Sequence, residues 1–261
     1  MNEIYFKELL KFGHFFNKPI IEDIFPNLKE ITFGGSFNSQ IVPGAIPNVT
    51  KIVFVMDSHF NQPIEKGIFQ ALEEIAFPPD FNSQIHPGDM PNVKKITFPY
   101  YSQFDKEIIA ETFPELTEIT FGPNFNKPIN PGAMPNVKKI SFGVSSQFNQ
   151  PILEGTFPKL EKIKFGFNFN SQIQPGAMPK VTEIDFSRAY MFNQPILEGT
   201  FKELEEKEIN FSSSYKSSYD IIYDENRKFI ESKRKETTGG FRNRKTCKIK
   251  KCKISKISKK K

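Results

Sequence analysis

Three histidines and two cysteines are the residues of this chain best able to hold a metal or move a proton, and their placement serves neither use. His14, His59 and His86 fall at three different places relative to the repeat described below, so they do not converge on one site. Cys247 and Cys252 form a C-x4-C pair with no histidine nearby, whereas a structural zinc needs four ligands. The chain has no glycine-rich phosphate loop, no H-E-x-x-H pair and no G-x-S-x-G nucleophile elbow. Carboxylates are plentiful but follow the periodic background, and an active site would have to break it. These residues predict a protein with no catalytic, metal or cofactor site.

That background is a repeat of two alternating lengths. Phe-Asn opens a unit at Phe16, Phe37, Phe60, Phe81, Phe125, Phe148, Phe169 and Phe192, and Phe104-Asp105 fills the gap. Successive intervals alternate between 21 and 23 residues, giving nine units in 44-residue pairs. A fixed period of this size means a solenoid, in which each unit buries its apolar residues only against its neighbours. With the opening Phe as position 0, position 4 is always Ile, from Ile20 to Ile196. Positions 12, 15 and 17 read L/V-x-x-I-x-F, as in Val137, Ile140 and Phe142. Alternation with period 2 is a short strand with one face inward, and Ile and Phe suit such a surface. Of the 29 Phe, 23 fall in three repeat columns, so they read as core and not as a cofactor box.

The polar columns serve the backbone. Asn17, Asn38, Asn61, Asn82, Asn126, Asn149, Asn170 and Asn193 recur at one bend, and a stack of them reads as an asparagine ladder for turn groups left inside. Glycine fills position 7 in seven units, consistent with a positive φ, and Asp23 and Glu111 replace it in the others. The expected fold is therefore all-β: a right-handed, leucine-rich-repeat-like β-solenoid of about nine 21/23-residue coils with a parallel sheet, about 40 Å long at the usual strand spacing.

Two surfaces qualify as candidate binding sites. Outward position 14 alternates Glu and Lys between neighbouring coils, a charge-neutralising ladder whose one exception is the cluster of Lys139, Lys162 and Lys164. The longer units leave five residues between the strand Phe and the next Phe-Asn. These loops, Val55–His59, Pro99–Gln103, Gly143–Gln147 and Ser187–Met191, line up on every second coil. They carry Met56, Tyr100, Tyr101, Tyr190 and Met191 where the repeat requires no apolar side chain. Per-repeat insertions gather on one face and often bind partners, and Tyr and Met are enriched at interfaces.

The string F-N-Q-P-I…G-x-F-P-x-L-x-x-I-x-F-G at Phe148–Gly166 resembles the FNIP repeat of social amoebae and giant viruses of amoebae, a relative of leucine-rich repeats. The resemblance spans about residues 16–211 and implies an interaction scaffold without catalytic residues. Some members of that family begin with an F-box; 15 residues precede the first unit here, so that role is not expected.

The ends depart from the repeat, as solenoid ends must. Residues 1–15 read as an N-terminal cap, with Leu10 and Phe12 as half a unit, ahead of a repeat domain at 16–211. Residues 212–238 read as a C-terminal cap, in which the spacing of Tyr215, Tyr219, Ile222, Phe229 and Ile230 is compatible with a short helix at about 217–235. Residues 239–261 read as a basic, disordered tail. Residues 212–261 carry a net charge of +12 and the remainder −6. A protein partner of unknown identity is therefore the first expectation, and weak non-specific nucleic-acid binding or nuclear targeting through the tail is the alternative. No signal peptide, apolar span or disulfide framework is present, so the expected location is the cytoplasm or nucleus, of the host cell if the chain is viral.

Overall fold

A strand of three or four residues has no partner inside its own coil, so its N–H and C=O groups must be met by the coils above and below. The computed structural model describes residues 8–21, 26–201, 204, 208–224 and 228–235. The expected tail at 239–261, with Cys247 and Cys252, lies outside the described residues, as does Asp23. Strands β1 (Leu9–Lys11), β2 (Glu30–Phe33), β3 (Lys51–Phe54), β4 (Glu74–Ala76), β5 (Lys95–Thr97), β6 (Glu118–Phe121), β7 (Lys139–Phe142), β8 (Lys162–Lys164), β9 (Glu183–Phe186) and β10 (Ile209–Phe211) form one parallel sheet in sequence order.

Register puts like on like. Ile31 faces Ile52, Ile52 faces Ile75, and the column continues to Ile184 and Ile209. Leu10 of β1 opens the column opposite Ile31, which makes the half-unit the first rung of the sheet. The two extra residues between Leu204 and Ile209 fall before the strand, because Ile209 pairs with Ile184 in the common register. On the far side of each coil the position-4 Ile residues are buried, and three pairs of them are bridged by backbone hydrogen bonds.

Between these two isoleucine columns lies a double stack of Phe rings. Within a coil the strand Phe lies flat against the next opening Phe, as in Phe121–Phe125 at 4.1 Å and Phe165–Phe169 at 4.0 Å. Along the stack, strand Phe residues 21 apart sit 5.0–5.2 Å from each other (Phe77–Phe98, Phe121–Phe142, Phe165–Phe186). Those 23 apart sit 6.0–6.2 Å from each other (Phe98–Phe121, Phe142–Phe165). The two unit lengths are thus registered in the core as well as in the loops.

The position-1 side chains form one bond per coil, running in a single direction. Asn17 Oδ1 accepts from Asn38 N–H at 2.9 Å, Asn38 from Asn61 at 3.0 Å, Asn61 from Asn82 at 2.7 Å, and so on to Asn170 and Asn193. Asp105 fits because only an acceptor oxygen is used: it takes Asn126 N–H at 2.9 Å and gives its own N–H to Asn82. The rungs are half-buried to exposed, so they knit the surface of the bend and do not fill an interior turn.

The C-terminal cap corrects one expectation. A helix does form, but as one short piece, α1 (Ser213–Ser218); a hairpin of β11 (Tyr219–Tyr223) and β12 (Phe229–Arg234) occupies the rest of the span expected to be helical. Tyr219-Asp-Ile-Ile-Tyr223 is β-favouring, and Asp224 closes the turn through bonds with Lys228 in both directions. The hairpin supplies what a further coil would. Ser232 N–H donates to Ile196 O and Ser232 Oγ accepts Ile196 N–H, while Phe229 N–H donates to Leu204 O. Tyr215 and Tyr219 continue the aromatic stack past Phe211 at 4.8 and then 4.4 Å. Their hydroxyls donate to Gln194 O and Asn193 O, the last open carbonyls of the bend, and burial pushes the Tyr215 phenol up.

Three expected outcomes follow from these columns. Phe121→Ala should cost about 3–5 kcal/mol through lost transfer and the cavity left behind, while the outward Thr120→Ala costs less than about 1 kcal/mol; equal melting shifts would contradict the inward assignment. Glu111 adopts φ 63° in the glycine column, a conformation that costs a side chain about 1–2 kcal/mol and glycine nothing. Glu111→Gly should therefore raise the denaturation midpoint despite glycine's looser unfolded chain, and a lower midpoint would exclude strain there. Asp89 is buried at a position that the other even-numbered coils fill with Ala45, Ala133 and Ala177, and burial raises its pKa from the ordinary 3.8 against the pull of the His86 N–H bond. The folded state then holds this proton more tightly than the unfolded chain, so the contribution to stability is full at low pH and lost as pH rises through the folded value. Asp89→Ala should melt above the parent at pH 7, with the gap closing as pH falls toward 3.8; a gap independent of pH would rule this account out.

Candidate partner-binding edge

The five-residue loops are built around one residue turned inward. In the first three loops it is the fourth, Ser58, Ser102 or Ser146, each buried and held by a turn bond from its N–H to Val55 O, Pro99 O or Gly143 O. Ser102 Oγ and Ser146 Oγ accept the N–H of Phe104 and Phe148 at 3.1 Å, which fixes the start of the next coil. The last loop residue is pinned to the three-residue loop of the coil before: Gln103 N–H to Pro79 O and Gln147 N–H to Pro123 O, both 2.7 Å. With the fourth residue inside, the second and third have nowhere to go but out. These are Met56, the pair Tyr100 and Tyr101, and the pair Val144 and Ser145.

The fourth loop departs from this plan. Its inward residue is the third, Ala189, whose N–H donates to Phe186 O and whose carbonyl accepts from Phe192. The shift of one place sends Tyr190 and Met191 outward. All five residues expected at the edge from their loop positions are 47–65 % exposed.

The structure divides the edge into two halves. Tyr100 and Tyr101 meet edge-on at 4.9 Å, and Tyr100 OH shares a 3.1 Å hydrogen bond with Ser145 Oγ two coils further on. Phe167 N–H donates to Val144 O, the Phe167 ring lies 5.8 Å from Tyr190, and Met191 N–H donates to Phe167 O. Tyr100, Tyr101, Val144, Phe167, Tyr190 and Met191 therefore make a stepwise apolar ridge. Met56 stands apart, in a polar half where His14 Nδ1 lies 3.2 Å from Asp57 and His59 Nδ1 2.6 Å from Asp80. Val144 (48 % exposed) and Phe167 (42 %) are ridge members that the loop argument misses. Phe167 carries a legible signal, since it is a Phe outside all three columns.

The strand face is different in kind. Lys51 and Lys95 both pair with Glu74, at 3.6 and 3.4 Å, and Lys94 with Glu73 and Lys138 with Glu161 form a second row. Each member of the lysine cluster has an acid on its outer side: Lys139–Glu118 at 2.8 Å, Lys162–Glu183 at 2.6 Å and Lys164–Asp185 at 3.9 Å. The hydrogen bond that it donates to the Glu183 carboxylate holds the Lys162 ammonium above its usual range. Exposed pairs of this kind add little stability, but they cancel the field that would draw phosphate to this face. Among the described residues, no group of three or more His, Cys, Asp and Glu could hold a metal ion, and no helix is long and apolar enough to cross a membrane.

Comparison with known proteins agrees with this architecture. The family model described as FNIP Repeat matches residues 16–55, 104–145 and 148–188. The crystal structure of CroV588, a giant-virus protein described as a novel circular LRR protein, superposes with a TM-score of 0.59 at 26% identity. The match covers 78% of this chain and 33% of that one, so the chain spans about a third of its neighbour's length. No curated protein matches the chain. Repeat columns, parallel sheet and family match converge: the chain is an FNIP-repeat protein with a leucine-rich-repeat-like β-solenoid fold.

Proposed function

We propose that the chain is a non-enzymatic protein-interaction scaffold, acting in the cytoplasm or nucleus, that receives its partner on the apolar ridge running from Tyr100 to Met191. The observation that carries this reading is the ridge itself: six apolar residues, each about half exposed, joined step by step by the Tyr100–Ser145 hydrogen bond, the Tyr100–Tyr101 and Phe167–Tyr190 ring contacts and the backbone bonds of Phe167 with Val144 and Met191. None of the six is needed by the core, whose columns are complete without them. Apolar side chains scattered singly on a surface need no explanation, whereas a contiguous line rimmed by polar residues marks an interaction site. Tyrosine suits it, offering large contact area at low entropic cost and a hydroxyl that can stay wet.

A partner of the ridge is a protein with a complementary apolar strip. The alternative, a nucleic-acid protein acting through Arg242–Lys261, is favoured by that segment's eleven basic residues and absence of acids. The two readings differ in salt response. Burial of an apolar strip is little affected between low and physiological ionic strength, and phosphate binding falls steeply.

The test is affinity capture with the whole protein and a variant carrying Tyr100→Ser, Tyr101→Ser and Tyr190→Ser. The parent should retain a protein partner at physiological salt that the variant loses, while their melting temperatures stay within a few degrees, because all three side chains lie outside the columns. Identical captured proteins would remove the ridge as the site, and retention of nucleic acid alone, lost as salt rises, would favour the alternative.

A further inference from the structure

The apolar ridge carries a fixed length as well as a chemistry. Its six side chains fall into three steps of two: Tyr100 with Tyr101, Val144 with Phe167, and Tyr190 with Met191. The steps begin on the long loops that follow β5, β7 and β9, so each lies two coils beyond the last. The hydrogen bond from Tyr100 to Ser145 crosses one of these gaps and lays the Tyr100 side chain along the edge.

That length discriminates among the backbones a partner could lay there. Two coils advance about 9.6 Å at the spacing of parallel strands. The core rings, one spacing of 5.0–5.2 Å and one of 6.0–6.2 Å per pair, hold the advance to about 11 Å at most. An α-helix returns the same face every seven residues, after about 10.5 Å, which lies inside this range. An extended strand returns it after two or four residues, about 6.6 or 13 Å, and is out of step at once. A polyproline helix returns it after about 9.3 Å, short of the whole range. Each step also offers two side chains. A helix with apolar residues at i and i+3 or i+4 brings two per heptad, where a polyproline helix brings one per turn.

The two ends of the edge differ in charge. Asp57 and Asp80 lie in the polar half, before Tyr100. Arg188 stands in the loop of Tyr190, exposed and in no ion pair among the described residues. A helix is partly positive at its N-terminus and partly negative at its C-terminus. We propose, resting on the ridge as the partner site, that the partner segment is an amphipathic α-helix of about four turns. It lies along the edge with its N-terminus toward Asp57 and Asp80 and its C-terminus toward Arg188. The six side chains leave roughly 600 Å² accessible, taking about half of what large side chains can bury. One partner's share of a standard interface is about 800 Å², so the contact is a reversible one, of micromolar affinity.

The test titrates the whole protein with a fluorescent, alanine-rich peptide of about 18 residues whose leucines form a heptad stripe. One control holds the same residues with leucines alternating, and another carries leucine at every third place of a proline-rich chain. The heptad peptide should bind at least tenfold more tightly than either control and gain helical circular dichroism on binding. Its affinity should fall at least tenfold with Tyr100→Ser, Tyr101→Ser and Tyr190→Ser together. It should fall severalfold with Arg188→Glu, which leaves the ridge intact; no change there would overturn the charge alignment. A benzophenone at the peptide's C-terminus should cross-link to Met191, and one at its N-terminus to the loop of Tyr100 and Tyr101; the opposite map would overturn the orientation. Equal binding of all three peptides, or heptad binding that survives the tyrosine substitutions, would overturn the helix as partner. If no peptide binds while capture of a cellular protein still depends on the three tyrosines, the helix is overturned and the ridge stands. If that dependence is absent too, the ridge falls with it.

Discussion

Everything in this protein depends on parallel backbone pairing between coils that cannot stand alone. One coil of 21 or 23 residues has a three- or four-residue strand, an isoleucine on the far side and two phenylalanines between them, and it buries nothing by itself. Parallel pairing brings identical positions face to face, so a residue suited to its own column suits its neighbours as well. This is why the columns are so uniform, and why an exception has to be tolerable in the shared chemistry. Asp105 is tolerated in the asparagine ladder because the ladder uses only an acceptor oxygen. Asp89, where the other even-numbered coils carry alanine, is accommodated differently. It takes the His86 N–H, whose counterparts Val42 and Gln174 donate to the isoleucine carbonyl of the preceding coil.

The alternation of 21 and 23 residues is a second constraint laid over the first. Two additional residues could have been absorbed as a wider bend. Instead each long loop spends one residue as an inward anchor, three times a serine and once an alanine, and pins its end to the short loop before it. The core registers the difference as strand Phe spacings near 5 Å and 6 Å in turn. A loop held at both ends and in its middle is a rigid display, so the side chains at its crest are presented with little freedom to lose on contact. That is the property an interaction edge needs, since the entropy of ordering an interface is set against every contact it makes.

Sequence legibility follows the same division. The columns were readable because nine copies average away any single exception: strand positions, inward Ile and Phe, the outward charge ladder and the exposed loop residues could all be placed from spacing alone. What occurs once has no copies to average. The segment after Phe211 offered Tyr and Ile at spacings that a helix or a hairpin could both satisfy. The choice fell to β propensity at Tyr219–Tyr223 and to bonds from Ser232 and Phe229 back to coil 9, which no local pattern announces. Val144 was hidden because the loop in Gly143–Gln147 holds no aromatic residue to draw attention. Phe167 was hidden among 29 phenylalanines, although its departure from the columns was visible.

The way the stack ends limits where partners can bind. An open end would expose strand edges and an apolar column, an invitation to unlimited stacking. Here the aromatic column runs past its last Phe into Tyr215 and Tyr219, side chains that stack like Phe and whose hydroxyls satisfy the carbonyls a further coil would have met. The hairpin then covers the isoleucine side through Ser232. With that end closed by its own chain, recognition at the C-terminal half is left to the lateral surfaces. There the faces differ by construction: the sheet neutralises its charges pair by pair, and the loop edge displays an apolar ridge. Because none of these features belongs to a core column, each can change without weakening the stack, and a rigid periodic frame can carry separate binding chemistries on separate faces.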